Sequence, residues 1–259
     1  MAENTVIIEV EPFNEFIKCL TNLKEVCNDA DVRNGILRQR TNNHTSVFEV
    51  DLNSVFNNEP NVNIALTNLK QKLELLKSFQ GQQVEVTINE PDDGTLGFYL
   101  FKDEHSSIKF VTPTMEFMDN KYMNEEELES IFPSSEDHLI LENKMGMILT
   151  DRIKTVTHYF SIETIVVEFN GETATISAST PSKDQSAKFS EGIIMNEEIE
   201  NSSTNISNVA FALDHEEEIE YTMFKDPNQN VALNRFKTRI GDIDISVYSR
   251  SQIVEDDEG

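Results

Sequence analysis

The chain contains 259 residues, a length for which we expect two domains of roughly 130 residues each, with one large all-β domain as the alternative. Apolar residues make up 38% of the chain and form no run of about 18 that would span a bilayer, which argues against a membrane helix. With 47 acidic and 21 basic residues the net charge is −26, a field that repels nucleic acid unless the bases are gathered on one surface. From composition alone, a solvated acidic surface without any nucleic-acid role is the simpler interpretation.

The N-terminal segment MAENTVIIEVEPF has no basic region before its apolar stretch and carries acids within it. This pattern argues against a signal peptide, so we expect a cytoplasmic or nuclear protein.

Cys19 and Cys27 stand eight residues apart on one predicted helix and lack metal-ligand spacing, which predicts core packing for both.

After an N-terminal strand, an amphipathic helix is predicted over residues 13–27, with Phe13, Phe16 and Leu20 on its apolar face and Lys18 on its polar face. GILRQR and TSVFEVDL follow as the two strands of a hairpin. The remainder of this half reads as a strand, a second helix ending near Gly81 and three more strands, in VNIALT, NLKQKLELLKSF, QVEVTINE, TLGFYLFKD and SSIKFVTPT. The predicted order is β-α-β-β-β-α-β-β-β.

Residues 117–137 carry seven acids against one lysine, together with Pro133, and are typical of an exposed connector.

A third helix is predicted in MGMILTDRIKTVTHYF, beginning at Met145, and a weak fourth in NVAFALD. Strands are predicted in IETIVVEF, ETATISAS, SAKFSEGIIM, STNISN, EIEYTMFK, NRFKTRI and DIDISVYS. The two halves therefore form a pseudo-repeat of topology.

Four stretches of this sequence resemble the DNA sliding clamps, that is, proliferating cell nuclear antigen (PCNA) and especially the clamps of tailed phages. They are RQRTNNHTSVFEVDL, NIALTNLKQKLELLKSF, RIKTVTHYFSIETIVVEFNGETATISA and the ending ISVYSRSQIVEDDEG.

The resemblance implies an α+β fold with two similar clamp domains per subunit, antiparallel sheets outside and helices lining a ring. The expected divisions are a first clamp domain, an acidic connector, a second clamp domain and an acidic tail, over residues 1–116, 117–138, 139–254 and 255–259. The expected function is that of a processivity factor without enzymatic activity or cofactor. A homotrimer would encircle duplex DNA without sequence preference and bind a DNA polymerase and a clamp loader, in the host cytoplasm if the gene is from a phage.

The resemblance also assigns residues to three surfaces. The residues expected to face DNA are Lys18, Lys70, Lys72, Lys77, Lys154 and His158. The pocket expected to take a partner peptide contains Arg40, His44, Thr45, Val47, Leu128, Ile131, Phe132, Pro133, Tyr248, Ile253 and Val254. The subunit interface is expected to contain Ile108, Phe110, Thr112, Lys188, Phe189 and Ile193.

Each surface has an alternative interpretation. The lysines are otherwise ordinary surface residues, Ile131 and Phe132 anchor the connector to its own sheet, and the interface strands are ordinary edge strands. Arg40 stands where many clamps have an apolar residue, and Ser251 stands where nuclear clamps have proline, which leaves the preferred partner motif open.

Other functional classes find less support in the sequence. It contains no nucleotide-binding glycine loop, GxSxG, CxxC or HExxH motif. His215 precedes three successive glutamates, which cannot share one face, so an acidic loop explains them better than a metal site. A non-enzymatic acidic DNA mimic is the main alternative, but it would need acids where the predicted helices carry lysines.

Overall fold

The computed structural model of the chain describes residues 2–24, 26–42, 46–59, 62–90, 97–111, 122–131, 139–145, 164–170, 173–179, 186–192, 202–207, 219–225 and 231–254. The chain divides into two compact units. The first contains Met1–Glu125 and Arg239–Ile245, and the second contains Glu126–Thr238 and Ser246–Gly259.

Two helices of the first unit each bury one face. α1 (Val10–Leu23) buries its apolar side chains at three- and four-residue spacing, as the sequence predicts, and Pro12 lies in its first turn, where a missing N–H costs nothing. α2 (Leu69–Leu76) buries Leu69, Leu73 and Leu76 and continues as a 3₁₀ turn over Lys77–Phe79. Gly81 then adopts a left-handed φ of 80°, which ends the helical segment at the predicted place.

Eight strands of the first unit form two antiparallel sheets. Sheet I has the order β1-β6-β7-β8 and sheet II the order β5-β2-β3-β4. The strands are β1 (Ala2–Ile8), β2 (Ala30–Arg33), β3 (Ile36–Arg40), β4 (Ser46–Asp51), β5 (Ile64–Leu66), β6 (Val84–Glu90), β7 (Phe98–Lys102) and β8 (Ser107–Val111).

Aromatic rings in the core of this unit join α1 to the 3₁₀ turn and to the loop that follows β4. The ring of Phe13 lies 6.5 Å from that of Phe79, edge to face, and Phe16 lies 5.9 Å from Phe56. Tyr99 of sheet I is buried, and its hydroxyl accepts a 2.9 Å hydrogen bond from the backbone N–H of Ala65 in sheet II. The two sheets are thus joined through the core by a polar contact that satisfies a buried donor.

The strands of the second half repeat this order with an offset of eight. These strands pair in the orders β9-β14-β15-β16 and β13-β10-β11-β12, which match β1-β6-β7-β8 and β5-β2-β3-β4 strand for strand. Their bounds are β9 (Leu139–Met145), β10 (Thr164–Asn170), β11 (Thr173–Ser179), β12 (Ser186–Gly192), β13 (Ser202–Ser207), β14 (Ile219–Lys225), β15 (Val231–Ile240) and β16 (Ile243–Val254). The pseudo-repeat predicted from the sequence is therefore present in the strand order.

Two strands are absent from the prediction. β2 buries three successive residues, including Asp31, whose carboxylate pairs with Arg33 at 2.8 Å, so its sequence lacks the alternation that marks a strand. β9 ends at Met145, the residue at which a helix is predicted to begin. The remainder of that predicted helix and the weak helix in NVAFALD lie outside the described residues.

The predicted acidic connector contains a short helix, α3 (Glu125–Ile131), that the sequence pattern does not indicate. The division between the two units falls at its start, after Glu125. The domain limits inferred from the resemblance remain a prediction, and residues 239–245, expected in the second domain, belong to the first unit.

Both cysteines are buried and reduced, and Cys27 lies beyond the end of α1 rather than on it. Among the described residues, none of the helices has the length and apolar character needed to traverse a lipid bilayer.

Candidate nucleic-acid interface

The outer faces of α1 and α2 form the candidate nucleic-acid interface. The two helices pack against each other, and both Lys18 on α1 and Lys70 on α2 are exposed. Residues 10–24 and 69–77 together contain five lysines and three glutamates, although acids outnumber bases more than twofold in the whole chain. We call this two-helix surface the basic helical layer.

Part of the positive charge in this layer is balanced by Glu74. Its carboxylate pairs with Lys77 at 2.8 Å and lies 4.0 Å from Lys24, and the hydrogen bond and charge of Lys77 lower the pKa of Glu74. Glu74 is fully exposed, so these pairs are screened by solvent and orient the lysines more than they stabilise the fold. By side-chain exposure, Lys18 and Lys70 are the exposed lysines of the layer, whereas Lys24, Lys72 and Lys77 are half-buried.

Lys72 has different surroundings from the exposed lysines. Its side chain is half-buried, and its ammonium donates to the Thr67 hydroxyl at 3.1 Å and lies 5.4 Å from the centre of the Phe110 ring. Burial lowers its pKa, partly opposed by the negative charge of Asp29. It is directed toward β5 and β8, so we regard it as a weaker candidate for a phosphate contact. Lys154 and His158 lie outside the described residues.

Four of the residues assigned to the peptide pocket lie in or beside the β3–β4 hairpin. Arg40 and Val47 face each other across it; Arg40 is half-exposed and Val47 is buried. His44 and Thr45 lie outside the described residues. The hairpin predicted from the sequence is therefore present, and the structure gives its register.

The other pocket residues come from the connector and from the end of the chain. Leu128 is 7% exposed on α3 and Ile131 is the last residue of that helix, whereas Phe132 and Pro133 lie outside the described residues. Tyr248 is half-buried in β16. Ile253 and Val254 pair with β13, opposite Thr204 and Ser203.

The residues assigned to the subunit interface lie on two strands at the ends of their sheets. In the sheet order β8 follows β7 at one end of sheet I, and β12 precedes β11 at the end of its sheet. Phe110 is buried and Ile108 half-buried in β8, while Lys188 and Phe189 of β12 pair with Ser177 and Ile176 of β11. Thr112 and Ile193 lie outside the described residues.

One group of polar residues escapes the sequence analysis. Arg33, Arg38 and Tyr122 come together on sheet II, with Tyr122 supplied by the predicted connector. The sequence ILRQR places arginines at alternate positions, which predicts that Arg38 and Arg40 share one face of the strand. It does not predict which residue packs against that face. Among the described residues, no group of three or more His, Cys, Asp or Glu side chains is arranged to hold a metal ion.

Neither a protein-family model nor a curated protein sequence matches this chain. Solved structures do match it over almost its whole length. The PCNA2–PCNA3 complex of Sulfolobus tokodaii is 12% identical with a TM-score of 0.60, covering 96% of this chain and 99% of that one. The PCNA of Entamoeba histolytica is 12% identical with a TM-score of 0.59 over 96% and 98% of the two chains.

The PCNA of Thermococcus kodakaraensis is 13% identical with a TM-score of 0.60, and the match covers 96% of this chain and 99% of that one. The likeness extends over both halves of the chain, as does the repeated strand order. The predicted α+β class is confirmed, and this chain has the PCNA-like sliding-clamp fold.

Proposed function

We propose that this protein is a DNA polymerase processivity factor, a homotrimeric sliding clamp that encircles duplex DNA. The observation that carries the proposal is the basic helical layer, which concentrates lysines on α1 and α2 of a chain with a net charge of −26. The PCNA-like fold supports it, since the solved relatives include a PCNA2–PCNA3 complex, that is, an assembly of several clamp chains.

In the proposed mechanism the lysines of the layer contact phosphates, and the acidic remainder of the ring stays away from DNA. Phosphate contacts carry no sequence information, so a few of them allow the ring to slide. Retention is topological, because a closed ring cannot leave a circular template without opening. The protein acts as a scaffold in this mechanism, and catalysis belongs to the polymerase.

We further propose that polymerase and clamp loader bind through a short hydrophobic peptide. The surface would include the β3–β4 hairpin, the connector and the C-terminal strand, where the resemblance places Arg40, Leu128 and Tyr248. Half-exposed Arg40 would favour an acidic residue beside the apolar anchors of the peptide.

The proposal is tested by measuring the mass of the protein in solution together with primer extension. The expected result is a trimer that lengthens the products of its polymerase and loader on a primed circular template. On a linear template with open ends the gain should fall, because a ring slides off. A monomer at all concentrations that never lengthens products would refute the clamp. Inhibition of a DNA-binding protein without any ring would favour the acidic DNA mimic instead.

A further inference from the structure

Tyr122 is held between two arginines of sheet II. The guanidinium carbon of Arg33 lies 4.3 Å from the centre of the Tyr122 ring, close enough for a cation–π contact. The Arg38 guanidinium donates a hydrogen bond to the Tyr122 hydroxyl. The side chain is half-buried, and burial raises the pKa of its phenol against the opposing effect of the two arginines. The hydroxyl is therefore neutral and in place over the physiological pH range.

Each arginine is itself oriented by a carboxylate of the same sheet. Arg33 donates to the buried Asp31 carboxylate through two nitrogens, at 2.8 and 3.1 Å. Arg38 pairs with Glu49, which faces it across the β3–β4 hairpin. Partners that are already oriented lose little side-chain entropy when Tyr122 binds them, so the two contacts are stronger than those of mobile surface arginines.

The backbone and the next residues continue the attachment. Tyr122 forms an antiparallel bridge with Gln39 of β3, and Met123 is only 1% exposed. Glu125, the first residue of α3, is close enough to Arg38 to act on its charge. Tyr122 is therefore attached to sheet II through its ring, its hydroxyl and a backbone bridge, and the side chain that follows it is buried.

We infer that Tyr122 is a positioning residue: its attachment to Arg33 and Arg38 holds the start of the connector on sheet II and so sets where the connector presents its partner-binding residues. The inference rests on the proposed function only for its last step. A connector released at Tyr122 would have to be ordered again whenever a partner peptide binds, which lowers affinity.

The experiment compares hydrogen exchange of the backbone amides of residues 122–131 in the full chain and three variants. Tyr122→Phe removes the hydroxyl bond to Arg38 and keeps the ring, whereas Tyr122→Ala removes both contacts. The control Phe98→Ala removes a ring of sheet I that also lies under a cation, the Lys109 ammonium at 3.7 Å. We expect local opening to increase about tenfold in Tyr122→Phe and on the order of fiftyfold in Tyr122→Ala, with no change in the control.

Primer extension on a circular template with polymerase and loader measures the consequence for function. Tyr122→Ala should shorten the products while the mass in solution stays that of the wild type, and Tyr122→Phe should restore most of the length. Unchanged exchange in Tyr122→Ala, or an equal increase in Phe98→Ala, would overturn the attachment. Faster exchange with products of full length would overturn the link to partner binding. A wild-type protein that never stimulates the polymerase would reject the proposed function, and the exchange data would still decide the attachment.

Discussion

At the scale of single residues, Gly241 lies where an added Cβ would displace a neighbouring side chain. It adopts a left-handed φ of 57° in the turn between β15 and β16, and a Cβ at this position would overlap the carboxylate of Glu15 on α1. That carboxylate accepts a 3.4 Å hydrogen bond from the N–H of Asp242. A glycine late in the chain therefore lets the tip of this hairpin pack against the first helix.

We expect Gly241→Ala to lower the free energy of unfolding by about 2 kcal/mol, half from left-handed strain and half from the displaced Glu15 contact. Gly81→Ala is the matched control, because Gly81 has a φ of 80° and nothing within 4 Å of the added Cβ. It should cost about 1 kcal/mol. Urea unfolding of both variants, with and without Glu15→Ala, measures the difference. Equal costs in the wild-type background would show that Glu15 does not matter.

The other residue-scale prediction concerns Cys19. Burial raises the pKa of its thiol to about 12, with a smaller contribution from the negative charge of Glu15, so the reactive thiolate is scarce at neutral pH. In a Cys27→Ser variant, we expect a thiol reagent to label Cys19 only at the rate of unfolding. The serine can keep the contact that the Cys27 thiol makes with the carbonyl of Arg40. Rapid labelling of the folded protein would contradict the burial of Cys19.

At the scale of elements, the basic helical layer carries five lysines against three glutamates, although the chain as a whole is acidic. The apolar stripes of α1 and α2 are determined by packing, which leaves their outer faces free to carry lysines. Sheet I also carries exposed lysines, at Lys102 and Lys109, so exposure of a lysine is not by itself a sign of DNA binding. What distinguishes the layer is that its lysines share one helical surface.

Reversing two charges tests this distinction. The test variant combines Lys18→Glu with Lys70→Glu. The control variant combines Lys102→Glu with Lys109→Glu. Each double variant lowers the net charge by four from −26. Only the first pair should weaken retention on primed DNA, and it should reduce the slope of log affinity against log salt by about 2. Retention is measured at several salt concentrations on a circular template. Equal losses in both variants would point to overall charge and reject the layer as the DNA-facing surface.

At the scale of the whole molecule, the proposed ring requires strand edges that pair between subunits. β8 lies at one end of sheet I and β12 at one end of its own sheet, and an exposed edge presents backbone groups that can pair with another chain. A closed homotrimer would pair β8 of each subunit with β12 of its neighbour, so that neither of these two edges stays open.

Proline substitutions in β8 test the pairing. Successive backbone N–H groups of a strand point to opposite sides, so Ile108→Pro and Lys109→Pro remove one donor toward β7 and one toward the free side. We expect one variant to lose thermal stability and the other to keep its Tm but shift the mass from trimer to monomer. Light scattering across a range of concentrations gives the mass. Two stable trimers would contradict pairing through β8.

The elements whose apolar spacing is regular could be predicted from the sequence: α1, α2, the β3–β4 hairpin and the alternating strands β6 to β8. The concentration of lysines in the two helical segments could also be read from the sequence, because it depends only on which residues stand at which positions. The sequence could not indicate β2, which buries Asp31 because Arg33 pairs with it, nor α3, whose run of acids is also typical of an exposed connector.

Which lysines are exposed depends on how the helices and sheets pack. Lys70 and Lys72 are alike in the sequence, yet the second is directed onto Thr67 and Phe110 by the approach of β8. The same packing also brings Glu15 to Gly241 and Tyr122 to Arg33, contacts between residues 226 and 89 positions apart. Local periodicity carries no information about such pairs, because they depend on how sheets and helices pack after they have formed.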